Sequence, residues 1–191
     1  MSIFSNIRAA FDMNWTTVLV GWEGLGVLSP WPSRWTEFPS LVSGEEVAVY
    51  AEERLASATD PSGQDLILKL LSVDLRTESR EAIRDLLKPL SDLDGNDPAI
   101  ELRKWRLVLL EQVLENMPQD TLHGLMALTE FWQGFGFPPD SPHQVQGRGN
   151  EIGPKEYYTA ENFREALNRH RRWIEKETAE LMADRGAGNA Q

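Results

Sequence analysis

The side chains best suited to chemistry cluster in one Pro- and Gly-rich segment of the chain, residues 135–159. This segment carries Asp140, His143, Arg148 and Tyr157. Side chains of these types could bind and turn over a substrate if the fold placed them around one pocket. The segment is therefore a candidate active-site loop.

The same segment also contains a pair of residues with a spacing that could suit a metal ion. Asp140 and His143 are three positions apart and could both reach one ion if the loop curls, with Glu156 or His170 as a further ligand. The alternative is that Asp140 begins an Asp-Ser-Pro turn and that His143 lies at the surface. Because ligand spacing alone is weak, we predict neither a metal nor a cofactor.

Other familiar catalytic patterns are absent from the sequence. The chain has no Cys, which excludes disulfides, thiolate metal sites and a Cys nucleophile. It has no Gly-x-Ser-x-Gly elbow and no His-Glu-x-x-His pair, and "GWEGLG" does not match the dinucleotide-binding glycine pattern. We therefore predict that the protein is not an enzyme. The tip "HQVQGRGN" of the 135–159 segment is predicted to be an ordered surface loop that contacts a partner.

The chain is acidic, with a formal net charge of -11. This charge disfavours nonspecific binding to nucleic acid or to anionic membranes, and it suits a basic protein partner. The alternative is that the charge serves solubility alone. The residues predicted to contact a partner are six carboxylates and two loop Trp that could anchor an interface: Glu45, Glu46, Glu52, Glu53, Asp92, Asp94, Trp31 and Trp35.

Helical periodicity dominates the elements that must position these residues. Trp15, Val18 and Trp22 follow the spacing of one helix face, and similar stripes recur along the chain. We predict an all-α fold, with a single domain of about seven helices over residues 1–185. The helices would form an antiparallel bundle or a short solenoid-like array. Residues 186–191 are predicted to form a disordered tail.

Polar residues with the chemistry of helix N-caps mark where most of the predicted helices begin. Ser43 and Glu46 form a capping box, in which each side chain satisfies a free backbone N–H group. The predicted caps are Asn14, Ser43, Asp60, Thr77, Asp120 and Thr159.

No secretion signal or membrane-spanning segment is apparent in the sequence. The start "MSIFSNIRAAFDMNW" lacks a long apolar core, and the run "WTTVLVGWEGLGVL" is too short to span a bilayer. The expected location is the cytoplasm. The sequence leaves the oligomeric state open.

The order of features resembles small, helical, uncharacterised bacterial proteins of the domain-of-unknown-function type. A Trp-rich helix precedes "YAEERL", then "KWRLVLLEQVLE", and finally "FWQGFGFPPDSPHQ" leads through "YYT" into a long helix. Some such proteins resemble immunity partners encoded beside secreted toxins. The resemblance implies a cytoplasmic protein that neutralises a basic toxin domain by tight binding, with no catalytic residues.

Two other hypotheses remain beside the immunity hypothesis. The protein could be an enzyme that uses the 135–159 segment, or a scaffold subunit that joins a larger assembly through an apolar patch.

Overall fold

A computed structural model gives the structure of the protein over residues 2–24 and 40–188, with side chains described as far as residue 183. These ranges are all-α, as predicted. No helix in them combines the length and apolarity needed to cross a membrane. They contain nine helices: α1 (Ile3–Ala10), α2 (Trp15–Glu23), α3 (Gly44–Ser57), α4 (Pro61–Leu71), α5 (Arg80–Asp94), α6 (Pro98–Asn116), α7 (Thr121–Gly134), α8 (Pro154–Tyr157) and α9 (Ala160–Gly188).

The helix count exceeds the predicted seven because two elements are short. α1 has eight residues and α8 has four, too few for an apolar stripe to stand out in the sequence. α8 lies inside the segment 135–159, which the sequence predicted to be a loop throughout. The described residues form two compact units, 2–24 with 40–105, and 106–188. The single domain over 1–185 and the tail over 186–191 stay predictions.

Local hydrogen bonds confirm five of the six predicted caps. In each, a side-chain oxygen accepts from the backbone N–H three residues later, which satisfies a donor that the helix itself leaves free. These caps are Asn14, Ser43, Asp60, Asp120 and Thr159.

The predicted cap Thr77 is wrong, and Ser79 takes its place at the start of α5. Ser79 accepts from the N–H of Ala82 at 3.2 Å, whereas the Thr77 hydroxyl donates to Asp74 at 3.0 Å. Asp74 lies in the turn before α5, and its carboxylate accepts the hydrogen bond from the Thr77 hydroxyl in that turn. The helix therefore begins two residues later than the sequence suggested.

The first unit packs its helices in a chain of neighbours, α3 on α4, α4 on α5 and α5 on α2. Among the described residues of this unit, Glu101 is the only deeply buried carboxylate. Its side chain belongs to a residue that is 2% exposed. Glu101 accepts from Thr17 Oγ1 at 2.5 Å, from Asn14 Nδ2 at 3.0 Å and from Lys104 Nζ at 2.8 Å. These three donors compensate the buried charge and join the start of α2 to α6.

The second unit has an aromatic core in which α7 packs against α9. Trp132 and Trp173 meet edge to face, with ring centroids 5.3 Å apart. Tyr157, from α8, is buried in the same core together with Leu128 and Phe163. The 135–159 segment is therefore attached to the core of this unit at its C-terminal end.

Candidate functional site

The 135–159 segment begins where α7 ends in a Schellman turn. The N–H groups of Gly136 and Phe137 donate to the carbonyls of Gln133 and Trp132, at 3.0 and 2.9 Å. Gly136 has a φ of 70° and Phe137 a φ of 52°. The second value is unfavourable for a bulky residue, so the surrounding contacts must hold it. The turn fixes the Phe137 ring at the start of the segment.

Asp140 is bound by a buried cation from α6. Arg106 is 7% exposed, and its Nη2 lies 2.6 Å from Asp140 Oδ2 and 3.4 Å from Glu177 Oε1. The guanidinium carbon also faces the rings of Trp132 and Trp173, at 5.7 and 5.0 Å from their centroids. A buried guanidinium needs such compensation. Asp140 therefore anchors the segment to α6 through this ion pair.

His143 is buried, with 8% exposure, and its hydrogen bonds define which ring nitrogen carries the proton. Its Nε2 lies 2.8 Å from Thr129 Oγ1 and 3.4 Å from the Tyr157 hydroxyl. Both hydroxyls already use their single proton, Thr129 on the carbonyl of Leu125 and Tyr157 on that of Gln144. With both protons placed there, Nε2 is the donor, and Nδ1 is a buried atom with no hydrogen-bond partner in the protein.

His170 has the opposite tautomer and is fully satisfied. Its Nδ1 donates to the carbonyl of Ala166 at 2.6 Å, and its Nε2 accepts from Trp132 Nε1 at 2.8 Å. The His143 and His170 rings lie 5.5 Å apart between centroids. His170 is therefore a structural residue of the core, whereas His143 has one unused acceptor.

Burial keeps both imidazoles neutral. It lowers the pKa of His143 to about 3, and the nearby His170 and Arg169 act in the same direction. It lowers the pKa of His170 to about 4, although the bond to Ala166 raises it. Burial also raises the pKa of the Tyr157 hydroxyl. At neutral pH this cluster is therefore uncharged.

The residues proposed for a metal site have separate roles in the structure. Asp140 binds Arg106, and Glu156 accepts from the N–H of Gly153 at the start of α8. Within the described ranges, no group of three or more His, Asp or Glu side chains is placed to hold a metal ion.

The tip of the segment is organised by Asn150. Its Nδ2 donates to the carbonyls of Val145 and Arg148, at 2.8 and 3.2 Å. Its Oδ1 accepts from the N–H groups of Gly147 and Ile152, both at 3.2 Å. One amide side chain thus makes four bonds to the backbone on both sides of the turn. The tip is an ordered loop, but its first residue, His143, is buried, which contradicts the predicted exposure of that residue at the surface.

A surface cavity of about 310 Å³ opens beside this tip. Arg148 and His143 both line it, and the Arg148 guanidinium carbon lies 4.2 Å from the centroid of the Phe137 ring, which also lines it. Two of the four residues proposed for an active-site loop therefore share one cavity. The other two do not line it: Asp140 binds Arg106, and the Tyr157 hydroxyl donates to the carbonyl of Gln144, a lining residue.

Several of the predicted partner-binding carboxylates form bonds within the first unit. Glu45 pairs with Arg76 at 3.0 Å, and Glu53 pairs with Arg8 at 2.7 Å. Each of these ion pairs is exposed enough to contribute little to stability.

Two more of these carboxylates serve helix termini. Glu46 completes the capping box with Ser43 at the start of α3. Asp94 accepts from the backbone N–H of Trp15 at the start of α2, where a negative charge is favourable. Burial nevertheless raises the pKa of Asp94. Trp31 and Trp35 lie outside the described residues.

Glu52 and Asp92 are exposed, and Glu52 lies beside a second surface cavity. This cavity, of about 280 Å³, is lined on α3 by Glu45, Ala48, Val49 and Glu52, which share one helix face. Val49 is 45% exposed. We call this cavity the α3 groove. It combines an apolar strip with acidic residues at both ends.

Sequence reasoning missed three residues that shape the 135–159 segment. Arg106 stands beside Trp105 in "KWRL" and gave no sign of its burial. Thr129 lies on the apolar stripe of α7, where a lone hydroxyl could have pointed to a buried polar partner. Asn150 ends "GRGN", and this turn composition was the available signal for a loop-organising amide.

The fold and the site together define a class of protein. It is an all-α protein of two compact units, with an ordered polar loop on the second unit. The chain belongs to the family described as an uncharacterised protein conserved in bacteria (DUF2247), whose model matches residues 4–178. No curated protein and no solved structure matches it. The predicted resemblance to bacterial proteins of unknown function is confirmed. The likeness to immunity proteins stays a prediction.

Proposed function

We propose that this protein acts by binding a basic partner protein, without catalysis, as an immunity protein binds its toxin. The observation that supports the proposal is the α3 groove, where an exposed apolar strip lies between carboxylates. Under this proposal the protein works in the cytoplasm, where it would meet its partner.

The α3 groove has the chemistry to accept a Lys or Arg side chain from a partner. The aliphatic stem of such a side chain can pack on Ala48 and Val49 while its charged end reaches Glu52. Glu45 is at the other end of the strip, in an exposed pair with Arg76. Because exposed pairs are weak, Glu45 can exchange this partner for an incoming cation at little cost.

The charge of the whole chain supports the same mechanism. A net charge of -11 attracts a basic surface over distances longer than a contact and raises the association rate. Burial of the apolar strip would then slow dissociation. Inhibition would follow from occupation of the partner's surface, so no catalytic residue is required.

The proposal is tested with the product of the neighbouring gene as the candidate partner. We expect a stable complex, and rescue of cells from the toxicity of that product. Glu52→Lys should weaken binding by about tenfold or more, because it places a like charge against the partner. Val49→Asp should also weaken it, through loss of the apolar contact.

The matched control for these variants is Glu130→Lys, which makes the same charge change at an exposed position of α7 outside the α3 groove. It should lower the association rate slightly and leave the dissociation rate unchanged. Absence of any complex would overturn the proposal. Equal weakening by Glu52→Lys and Glu130→Lys would overturn the assignment of the groove.

A further inference from the structure

We propose that a third surface cavity, in the first unit, binds a free amino acid with an apolar side chain. This cavity has a volume of about 320 Å³ and is lined by residues of α2, α3, α4 and α5. We call it the four-helix cavity. It shares no described lining residue with the α3 groove, so the inference does not depend on the function proposed for that groove.

The first recognition element of the four-helix cavity is the carboxylate of Asp94, the last residue of α5. Its Oδ2 accepts from the backbone N–H of Trp15 at the start of α2. Its Oδ1 has no hydrogen-bond partner within the described ranges and is not a buried atom, so it is in contact with solvent. Because Asp94 lines the cavity, this oxygen can accept from a ligand.

The second recognition element is the carboxylate of Asp60, which caps α4. Its Oδ2 accepts from the N–H of Gly63 at 2.7 Å, and the side chain is exposed. Asp60 lines the same cavity. Each carboxylate is therefore held by one backbone N–H group and keeps its other oxygen for a ligand.

The electrostatics of these carboxylates favour an ammonium group. Asp94 is partly removed from water, and burial raises its pKa, although the bond from Trp15 lowers it. A ligand cation would stabilise the ionised form of such a group. An ammonium group has three donors and no acceptor, which matches carboxylate oxygens that still have free lone pairs.

The third recognition element is the cation Arg54 of α3, which lines the cavity together with the two carboxylates. Its side chain is exposed and has no ion pair or hydrogen bond among the described residues. Its charge lowers the pKa of Asp94, so the two groups interact through space without a bond between them. A guanidinium with unused donors matches a ligand carboxylate. An ammonium group beside a carboxylate, as in an α-amino acid, complements both signs of charge.

Apolar surface in the same cavity selects the side chain of the ligand. Leu93 lines the cavity and is 55% exposed. Trp15, which also lines it, is fixed edge to face against Tyr50, with ring centroids 4.9 Å apart. An aliphatic side chain that covers Leu93 would remove apolar area from water. The volume of about 320 Å³ is sufficient for one amino acid.

The test titrates the full ¹⁵N-labelled chain with L-leucine and follows the backbone amides by nuclear magnetic resonance. The reporters are the amides of Trp15 and Gly63, because their N–H groups donate to the carboxylates of Asp94 and Asp60. We expect saturable shifts of both amides. The amide of Gly153, in the second unit, should not move.

Three analogues of L-leucine each lack one feature that the four-helix cavity recognises. Isopentylamine lacks the carboxylate, 4-methylpentanoate lacks the ammonium group, and glycine lacks the apolar side chain. Each should bind about tenfold more weakly than L-leucine, since each loses a charge-assisted hydrogen bond or the apolar contact.

Two variants assign the two charged ends of the ligand. Arg54→Gln should weaken L-leucine by about tenfold without weakening isopentylamine, because only L-leucine has the carboxylate. Asp94→Asn, which keeps an acceptor for Trp15, should weaken both ligands. The matched controls are Arg172→Gln and Asp92→Asn, which make the same charge changes at exposed positions outside the cavity and should leave binding unchanged.

Three results would overturn the proposal. The first is the absence of saturable shifts of Trp15 and Gly63 with L-leucine. The second is that isopentylamine or 4-methylpentanoate binds as tightly as L-leucine, which would exclude recognition of both charges. The third is that Arg54→Gln and Asp94→Asn bind L-leucine as tightly as their controls do. None of these results bears on the α3 groove, whose test uses a protein partner.

Discussion

At the scale of single residues, Gly21 packs tightly against Trp105 in the first unit. A Cβ atom on Gly21 would lie 2.4 Å from a ring carbon of Trp105 and 2.6 Å from Val42. The Trp105 indole also donates from Nε1 to the carbonyl of Thr17 at 2.9 Å. The ring is therefore fixed both by packing and by a hydrogen bond, and it cannot move away at low cost.

We expect Gly21→Ala to destabilise the protein by about 1–3 kcal/mol, because the added methyl group overpacks a rigid contact. This outcome is opposite to the usual gain from replacing a helical Gly by Ala. Urea unfolding followed by circular dichroism measures it. Gly153→Ala is the control, since a Cβ atom there meets nothing within 4 Å. If both variants unfolded at the same urea concentration, the contact would not be as tight as described.

The same residue shows what the sequence could not reveal. Helix propensity, which is a local property, marks Gly21 only as an unfavourable residue within α2. Position 21 requires Gly because the Trp105 ring packs against it, and Trp105 is 84 positions away in the chain. Contacts of this kind depend on the packed structure, and no periodicity of one segment reports them.

At the scale of elements, the tip of the 135–159 segment depends on Asn150. We expect Asn150→Ala to increase amide hydrogen exchange at Gly147 and Ile152, since both N–H groups lose their acceptor. Asn150→Asp should protect these two amides better than Asn150→Ala does, because it keeps the accepting oxygen.

The matched control for the Asn150 variants is Asn168→Ala, at an exposed position of α9. It should leave exchange at Gly147 and Ile152 unchanged. Parent-like protection of these amides in Asn150→Ala would show that the tip is held by other contacts.

The elements also show where sequence analysis succeeds. Five predicted caps are confirmed because each joins a side chain to a backbone group three residues away, so that the whole interaction is visible in one short stretch. Thr77 failed because Asp74 competed for its hydroxyl. The loop between α7 and α8 was visible for the same local reason, its Pro and Gly content, whereas the short helix α8 was not. The partners that decide its chemistry, Arg106 and Thr129, lie on other helices.

At the scale of the whole molecule, buried titratable groups connect stability to pH in two directions. His143 and His170 have lowered pKa values, so the folded state resists their protonation. Asp94 has a raised pKa, so the folded state binds its proton more readily than the unfolded chain does. Acidification therefore weakens the fold through the two histidines and is opposed by this carboxyl group.

The contribution of the histidines can be isolated from the slope of stability against pH. In the unfolded chain each takes up a proton near its ordinary value of 6.5, whereas the folded protein does so only near about 3 and about 4. Stability is therefore fully present above pH 6.5 and falls as the pH drops towards these folded values. Each histidine contributes up to about 1.4 kcal/mol per pH unit in that window.

We expect His170→Gln to reduce the slope of the free energy of unfolding by about 1.4 kcal/mol per pH unit between pH 6.5 and about 4. The double variant His143→Gln/His170→Gln should reduce it by about twice as much. Urea unfolding at a series of pH values measures these slopes. Because the comparison uses slopes, a loss of stability that is the same at every pH does not affect it. Slopes in the double variant equal to those of the parent protein would contradict this prediction. They would mean that the two imidazoles are protonated as easily in the folded protein as in the unfolded chain. The two side chains would then not be buried as neutral groups.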